Sequence, residues 1–297
     1  MDVKIKKKRT KQDIVLDILI YLFLAFVVII CVYPFWNIFI ISINDATDAI
    51  RGGIYFLPRK LSLASYADIL SRSTFLESIK VTLARTLIGT PLAALVTTAL
   101  AYVLSRKELV FKKGLTLIFV FTMYFGGGLV PYYMVLKNLH LLDSFWVYIF
   151  PNLVSVYNMI LVKNYIEGMP EAIFESCKID GANELTIFFR MVIPLSKPII
   201  MTIVLFIAIT QWNSWFDAYL YTNSQSLKTM QSILVEILNQ YQTSNANQAA
   251  NQNAAALTPD SIRMAATMVS TIPIILVYPF IQKYFVKGIM LGSVKSL

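Results

Sequence analysis

Six apolar runs dominate the chain, at 14–42, 78–104, 114–136, 146–165, 198–221 and 264–286. Each is long enough to cross the hydrocarbon core of a bilayer, which takes about twenty residues as a helix. That repetition leaves the chain little freedom. A segment in lipid must satisfy its backbone hydrogen bonds internally, as a helix does. With 57% hydrophobic and 14% charged residues and a mean hydropathy of +0.64, the chain is too apolar for a soluble domain of its size. The expected class is an all-α integral membrane protein with about six transmembrane helices.

The net charge of +9 fits the same picture. Lys4, Lys6, Lys7, Lys8, Arg9 and Lys11 crowd before the first run, the pattern of a cytoplasmic flank and not of a nucleic-acid surface. The run itself is too long for a signal-peptide core. Starting inside, six crossings return the C-terminus to the cytoplasm and place Arg106, Lys107, Lys112, Lys113, Lys283, Lys287 and Lys295 inside. Segments 43–77, 137–145 and 222–263 then lie outside. The first of these carries Arg51, Arg59, Lys60 and Arg72, offset in part by Asp45, Asp48, Asp68 and Glu77. The expected organisation is a basic tail (1–13), a first helix with its outer loop (14–77), a core (78–286) interrupted by a loop at 166–197, and a C-terminal tail (287–297). Cys31 in a span and Cys177 in the polar loop cannot pair on this topology.

One long polar stretch on the inner side stands out, residues 170–198, PEAIFESCKIDGANELTIFFRMVIPLSKP. It parses as two short helices around a turn. Pro170 suits a first helical position, Glu171 complements the positive helix start, Gly181 can end a helix in the left-handed conformation and Asn183 can cap the next one. Leu185, Phe188, Phe189 and Val192 then fall at i, i+3, i+4 and i+7, one apolar stripe stopped by Pro194. The pattern alone fits either a hairpin lying on the membrane face or an element that docks on a partner. A DNA-reading helix would present Arg, Asn or Gln to base edges, not Leu and Phe between hydrophobic spans.

Polar and small residues interrupt the spans at two places. Gly126, Gly127 and Gly128, followed by Pro131, should break or kink the third run, as a hinge or to admit a neighbouring helix in preference to a substrate contact. Gln211, Trp212, Asn213, Ser214, Trp215, Phe216 and Asp217 put amides, indoles and a carboxylate at membrane depth. Asp217 must therefore face the bundle interior, a water-filled path or the outer interface. In the last outer segment, residues 227–238 read as an amphipathic helix with Met230, Ile233, Leu234 and Ile237 on one face, followed by a low-complexity polar tract at 239–256.

Catalytic signatures are missing. The sequence contains no G-x-x-x-x-G-K-[ST] loop, no HExxH, no CxxC and no Gly-rich dinucleotide fingerprint, and its single histidine, His140, has no second histidine or cysteine beside it. Transport remains. Without a charge ladder in the spans or an evident inverted repeat, its energy source is expected in another subunit.

At this point the polar stretch resembles the cytoplasmic loop of permease subunits of type I ATP-binding-cassette importers. The family signature runs Glu-Ala-Ala, a Gly four residues after the second Ala, and later a hydrophobic residue with Leu-Pro. Glu175-Ser176-Cys177, Ile179-Asp180-Gly181-Ala182 and Ile193-Pro194 occupy those places, with Ser and Cys replacing the two alanines. The resemblance covers nearly the whole chain and looks closest to the MalG-like carbohydrate permeases of the LplC branch. Residues 53–66 (GIYFLPRKLSLASY), 101–106 (AYVLSR), 124–131 (YFGGGLVP), 211–217 (QWNSWFD) and 288–295 (GIMLGSVK) carry it.

That resemblance implies a MetI-like permease fold in the bacterial plasma membrane, with a coupling helix docked in a groove of a cytoplasmic ABC ATPase dimer. It implies Glu171, Glu175, Ser176, Cys177, Asp180, Gly181, Ala182 and Pro194 as the coupling-loop residues. The capped two-helix element with its glycine corner is expected to turn Phe188 and Phe189 toward the chain's own spans and Glu171, Glu175 and Asp180 toward a partner. The partners that the resemblance implies are a second homologous permease, an extracytoplasmic solute-binding protein and a carbohydrate substrate, an oligosaccharide in particular. No cofactor is expected on this chain, since ATP and Mg belong to the ATPase. Sugars offer ring faces to aromatics and hydroxyls to amides, so Gln211, Trp212, Asn213, Trp215 and Asp217 are the expected path-lining residues.

Overall fold

The computed structural model describes residues 10–245 and 258–293. The basic cluster from Lys4 to Arg9, Lys295 and most of the polar tract expected at 239–256 lie outside them. The described elements are helical: α1 (Lys11–Ser42), α2 (Ala64–Ser71), α3 (Ser73–Ser105), α4 (Lys112–Tyr124), α5 (Leu129–Asn138), α6 (Val156–Glu167), α7 (Glu171–Ile179), α8 (Glu184–Leu195), α9 (Lys197–Asn213), α10 (Phe216–Tyr221), α11 (Met230–Asn245) and α12 (Pro259–Ser293). A short 3-10 stretch, residues 145–152, precedes α6.

Two compact units divide the chain, Met1–Ile69 with Ser244–Val269 and Leu70–Thr243 with Ser270–Leu297. In the first, a capping box starts α1: the Asp13 amide donates to Thr10 Oγ1 and the Thr10 amide to Asp13 Oδ2. Almost all of α1 is exposed and apolar, the surface of a helix meant for lipid. The segment after it is folded around Asn44, whose Oδ1 accepts from the amides of Arg59 and Lys60 at 2.9 and 3.0 Å. Four of the charges in this segment are physically paired there, Arg59 with Asp48 at 3.0 Å and Lys60 with Asp45 at 3.4 Å.

In the second unit α3 packs against α6 and α9. Ala101, Tyr102 and Leu104 of α3, Met159, Val162 and Ile166 of α6, Phe174 of α7, Ile187, Phe188 and Val192 of α8 and Ile203 of α9 form one buried cluster. The polar hairpin is thus part of the core and not an appendage.

Among the described residues α1 and α3 are each long and apolar enough to cross a membrane unbroken, and three bent pairs would raise the number to five. The run at 264–286 falls within α12. The third expected span is α4 and α5 bent by 113° across residues 125–128. Gly128 at φ +86° makes that reversal possible. Among the described residues of this chain no helix packs closely on these glycines. A Cβ at Gly126 or Gly128 would meet nothing within 4 Å, and one at Gly127 would meet only Pro131 at 3.8 Å. The expected amphipathic helix is α11, which begins at Met230 and buries Met230, Ile233, Leu234 and Ile237.

Candidate functional site

The hairpin is closed by local chemistry. Helix α7 ends in a Schellman motif, with the Gly181 amide on the Lys178 carbonyl and the Ala182 amide on the Cys177 carbonyl, both at 3.0 Å. This requires φ +77° at Gly181. Asn183 Oδ1 then accepts from the Thr186 amide at 2.8 Å and starts α8. Pro170 is the N-cap of α7 and not its first helical residue. Its ψ of 129° is extended, so the helix begins at Glu171.

The stripe expected of Leu185, Phe188, Phe189 and Val192 is broken. Ile187, Phe188 and Val192 are buried, whereas Leu185 and Phe189 are 70% and 53% exposed. Residues Phe188–Val192 form a π-turn, whose i→i+5 bonding brings Ile187 and Val192 to one side and rotates Phe189 outward. Phe188 thus faces the chain's own spans as expected and Phe189 does not. An 83° bend follows before α9.

Aromatic and ionic contacts hold the hairpin to the end of α3. Phe188 meets the Tyr102 ring at 5.5 Å, and the Tyr102 hydroxyl donates to Glu184 Oε2. The Arg106 guanidinium lies 3.9 Å over the buried Phe174 ring. Lys107 pairs with Glu171, and Lys178 Nζ reaches Glu108 at 2.6 Å and Glu184 at 3.6 Å. The Lys178 hydrogen bond is the main reason the Glu108 carboxyl is pulled down to about 2, with the Lys178 and Arg106 charges acting in the same direction. Glu171, expected to face a partner, is paired with Lys107 and its side chain stays 39% exposed. The exposed residues of the hairpin include Glu175, Ser176, Ile179, Asp180, Gly181 and Leu185, whereas Cys177 and Ala182 are half-buried and Cys177 Sγ points at Met191 Sδ, 3.2 Å away. Pro194 is exposed.

A second polar cluster lies deep in the bundle. Asp217, in the first turn of α10, takes the Arg85 guanidinium of α3 in two bonds, Nη1 to Oδ1 at 3.1 Å and Nη2 to Oδ2 at 2.6 Å. Its Oδ1 also accepts from Ser214 Oγ and the Ala218 amide, each at 2.9 Å. Arg85 Nε donates to Gln211 Oε1 at 3.0 Å, and the guanidinium sits 4.5 Å from the Tyr148 ring centroid. Asp217 therefore faces the bundle interior. Arg85, its partner 132 residues away, escaped the sequence reading although a lone arginine in the second apolar run signals an intramembrane counter-charge.

The remaining path candidates separate. Trp212 Nε1 donates to the Ser270 carbonyl at 3.1 Å, and its ring lines an apolar cavity of about 410 Å³ with Leu83, Leu87, Val204 and Pro273. Asn213 and Trp215 are exposed at the end of α9, Trp215 edge-on to Phe216. Gln211 alone of the five lines a polar cavity of about 290 Å³ between α3, α6 and α9. No group of three or more potential metal ligands occurs among the described residues.

A helical bundle with a structured polar hairpin between two spans matches a known pattern. The family model described as the binding-protein-dependent transport system inner membrane component covers residues 7–291. The chain belongs to this family. Within it, the polygalacturonan/rhamnogalacturonan transport system permease protein YtcP of Bacillus subtilis (strain 168) is 39% identical over 280 residues, covering 94% of this chain and 98% of YtcP. Protein LplC of the same organism is 37% identical over 292 residues, 97% of each chain. Among solved structures, a chain from the crystal structure of a bacterial ABC transporter involved in the import of the acidic polysaccharide alginate superposes with a TM-score of 0.83 at 27% identity, covering 94% of this chain and all of that one. The expected permease fold and the resemblance to the LplC branch are both borne out. As a member of this family the chain is a membrane transport component and not a catalyst.

Proposed function

We propose that this inner membrane component is one of two homologous permeases that together form the path of an ATP-driven carbohydrate importer, with an oligosaccharide as cargo. What carries the reading is full-length similarity to permeases and a transporter whose descriptions specify polygalacturonan, rhamnogalacturonan and alginate. Both termini and the hairpin lie in the cytoplasm, the side favoured by the flanking lysines. A cytoplasmic ABC ATPase dimer, which binds the ATP and Mg, receives the outward face of the hairpin, with Glu175 and Asp180 meeting basic residues and Ile179 of α7 and Leu185 of α8 entering an apolar groove. Ser176, small and exposed, permits close approach, while Cys177, Ala182 and Pro194 shape the element behind it.

ATPase closure displaces the hairpin as one body. The displacement passes into the spans, because Phe174, Phe188 and Val192 share a core with α3, α6 and α9. An extracytoplasmic binding protein delivers the sugar, and the exposed Asn213 and Trp215 stand where a hydroxyl or a ring face can be met.

Deleting the chain from its native cell should abolish uptake of labelled oligosaccharides from a panel that includes oligogalacturonides and alginate fragments. Unchanged uptake of every glycan tested would overturn the carbohydrate reading. Solute movement by the purified chain alone in vesicles, without ATP or partners, would overturn the importer reading altogether.

A further inference from the structure

The first unit holds three consecutive large apolar side chains out of its own packing. Tyr55, Phe56 and Leu57 are 61%, 69% and 73% exposed. They do not hang on a slack loop. Arg59 pinches its neck, with Nη2 donating to the Gly52 and Asp48 carbonyls at 2.8 and 3.1 Å and Nε to Asp48 Oδ2 at 3.0 Å, and Ile54 beside them is buried. A contiguous apolar patch fixed in this way marks an interaction surface and not a solvated one.

The depth of the patch identifies what covers it. After Asp17, α1 runs through residues 18–36, nineteen positions without a charge or a side-chain amide, before it reaches Asn37. At 1.5 Å per residue that stretch is about 28 Å long, the thickness of the hydrocarbon core of a bilayer. Tyr33 and Trp36 therefore stand at the far membrane boundary, where such rings concentrate. The loop is fastened to α1 at that level. Trp36 Nε1 donates to the Phe56 carbonyl at 3.1 Å, Asn37 Nδ2 donates to the Ile54 carbonyl at 2.9 Å, and the Phe56 ring lies 5.9 Å from the Tyr33 ring. Beyond the apex the chain returns to the end of α1, where the Ser62 amide donates to the Ile43 carbonyl at 2.9 Å and Leu61 bridges to Asn44. Ile43 is about 9 Å further along the helix than Asn37 at the same rise per residue. Leu61 and Leu63 are as exposed as the apex but stand at this higher level. Only the apex is continuous, through Tyr33, with the apolar surface that α1 presents to lipid.

We infer that residues 54–57 form an interfacial lipid anchor. Tyr55, Phe56 and Leu57 enter the boundary between headgroups and acyl chains in the leaflet at the far end of α1, about 5–10 Å deep as amphipathic elements do. The buried Ile54 and the bonds from Trp36 and Asn37 tie that depth to α1, so the loop sets where the helix stops in the membrane. The apex carries no charge, so its partner is the apolar boundary itself and not a particular headgroup. The anchor depends on α1 crossing the bilayer and is independent of the cargo.

The test uses the complete transporter in nanodiscs of phosphatidylethanolamine and phosphatidylglycerol, doped with a phospholipid that carries a photoactivatable diazirine near the carbonyl end of one acyl chain. Trypsin cuts after Arg51 and Arg59 and so releases the apex as one peptide, residues 52–59, while the next cuts release 61–72. Lipid adducts on Tyr55, Phe56 and Leu57 should exceed those on the equally exposed Leu61 and Leu63 by at least about fivefold, because the apex alone reaches the acyl boundary. Hydroxyl-radical footprinting of the same discs should leave Tyr55 and Phe56 largely unoxidised. The double variant Tyr55→Ser with Leu57→Glu, which keeps the Phe56 and Ile54 carbonyl bonds, should lower the adduct yield on 52–59 by at least about threefold. Oxidation of Tyr55 and Phe56 without lipid adducts would place the apex in water and overturn the anchor. Neither label on 52–59 would mean that another protein chain covers it, and would overturn the anchor equally, as would an undiminished adduct yield in the double variant. If that variant does not assemble, the two labels on the wild-type complex decide.

Discussion

Two sets of carboxylate and cation pairs in the second unit use the same chemistry at different depths. At the hairpin, Lys107 and Glu171 are 74% and 39% exposed and Lys178 and Glu108 are 40% and 59% exposed. In the bundle, Arg85 and Asp217 are 1% and 15% exposed. Exposed pairs contribute about 0–1 kcal/mol, because water and mobile ions replace either partner at little loss. A buried pair repays its desolvation only if geometry and further hydrogen bonds are good, and removing one partner strands the other. The difference suits two mechanical duties. The hairpin pairs can yield when a docking partner brings its own charges, while the Arg85–Asp217 joint must hold. It fixes the turn between α9 and α10 to α3, where the fifth expected span loses its helix at Ser214.

Breaking the buried joint should therefore give the largest effect. Asp217→Ala leaves a guanidinium that is almost wholly buried without its counter-charge, and should lower stability by about 3–5 kcal/mol, read as a fall in the melting temperature of the detergent-purified complex. Arg85→Met combined with Asp217→Leu should recover most of that loss, since no stranded charge remains. An unchanged melting temperature in Asp217→Ala would mean that the pair is as exchangeable as those at the hairpin.

The hairpin should respond oppositely, in coupling more than in stability. Gly181→Ala meets no steric obstacle, as nothing lies within 4 Å of the Cβ position, so its cost is the strain of φ +77°, about 1–2 kcal/mol, confined to the turn. Gly181→Pro also removes the amide that closes the Schellman motif, and should abolish co-purification of the ATPase while membrane insertion persists. Glu175→Lys is milder. Glu175 is exposed and makes no salt bridge among the described residues, so reversing its charge should weaken ATPase association without moving the melting temperature. Normal ATPase retention and stimulated hydrolysis in Gly181→Pro and Glu175→Lys would detach the hairpin from the coupling role.

What was legible in the sequence follows the range of the forces involved. Lipid-length runs declare helices because a bilayer offers few other solutions, and Gly181 and Asn183 declare their turn because each acts on atoms within about five residues. The break at Gly126, Gly127 and Gly128 was legible for the same reason, but its 113° bend was not, since that angle depends on packing elsewhere. The π-turn at Phe188–Val192 carries no local composition signal, so a stripe at regular 3.6 spacing put Phe189 on the wrong side. Pairings across the chain were illegible as pairs. Asp217 stood out in the sequence as a carboxylate within an apolar run, whereas Arg85 went unread. Only the packing of α3 against α9 joins them.

The smallest effect sharpens the contrast most. The Glu108 carboxyl is lowered from its ordinary 4.5 to about 2 by the Lys178 hydrogen bond, so it is held more readily as a carboxylate in the folded hairpin than in an open one. Its stabilising contribution is therefore present above pH 4.5 and is lost as pH falls from 4.5 through about 2. Lys178 is raised by the same contact, and its contribution holds below its ordinary 10.5 and is lost as pH rises through the raised value. With both side chains more than a third exposed, water and mobile ions screen the pair and the effect is small. Amide exchange in α7 and α8 should accelerate slightly between pH 4.5 and 2, after correction for intrinsic exchange, and Glu108→Gln should flatten that dependence. Raising salt to about 1 M, where the Debye length is ~3 Å, should loosen α7 and α8 at neutral pH and leave exchange around Ser214 and Ala218 unchanged. Equal salt sensitivity at both places would abolish the distinction between a pair built to yield and a pair built to hold.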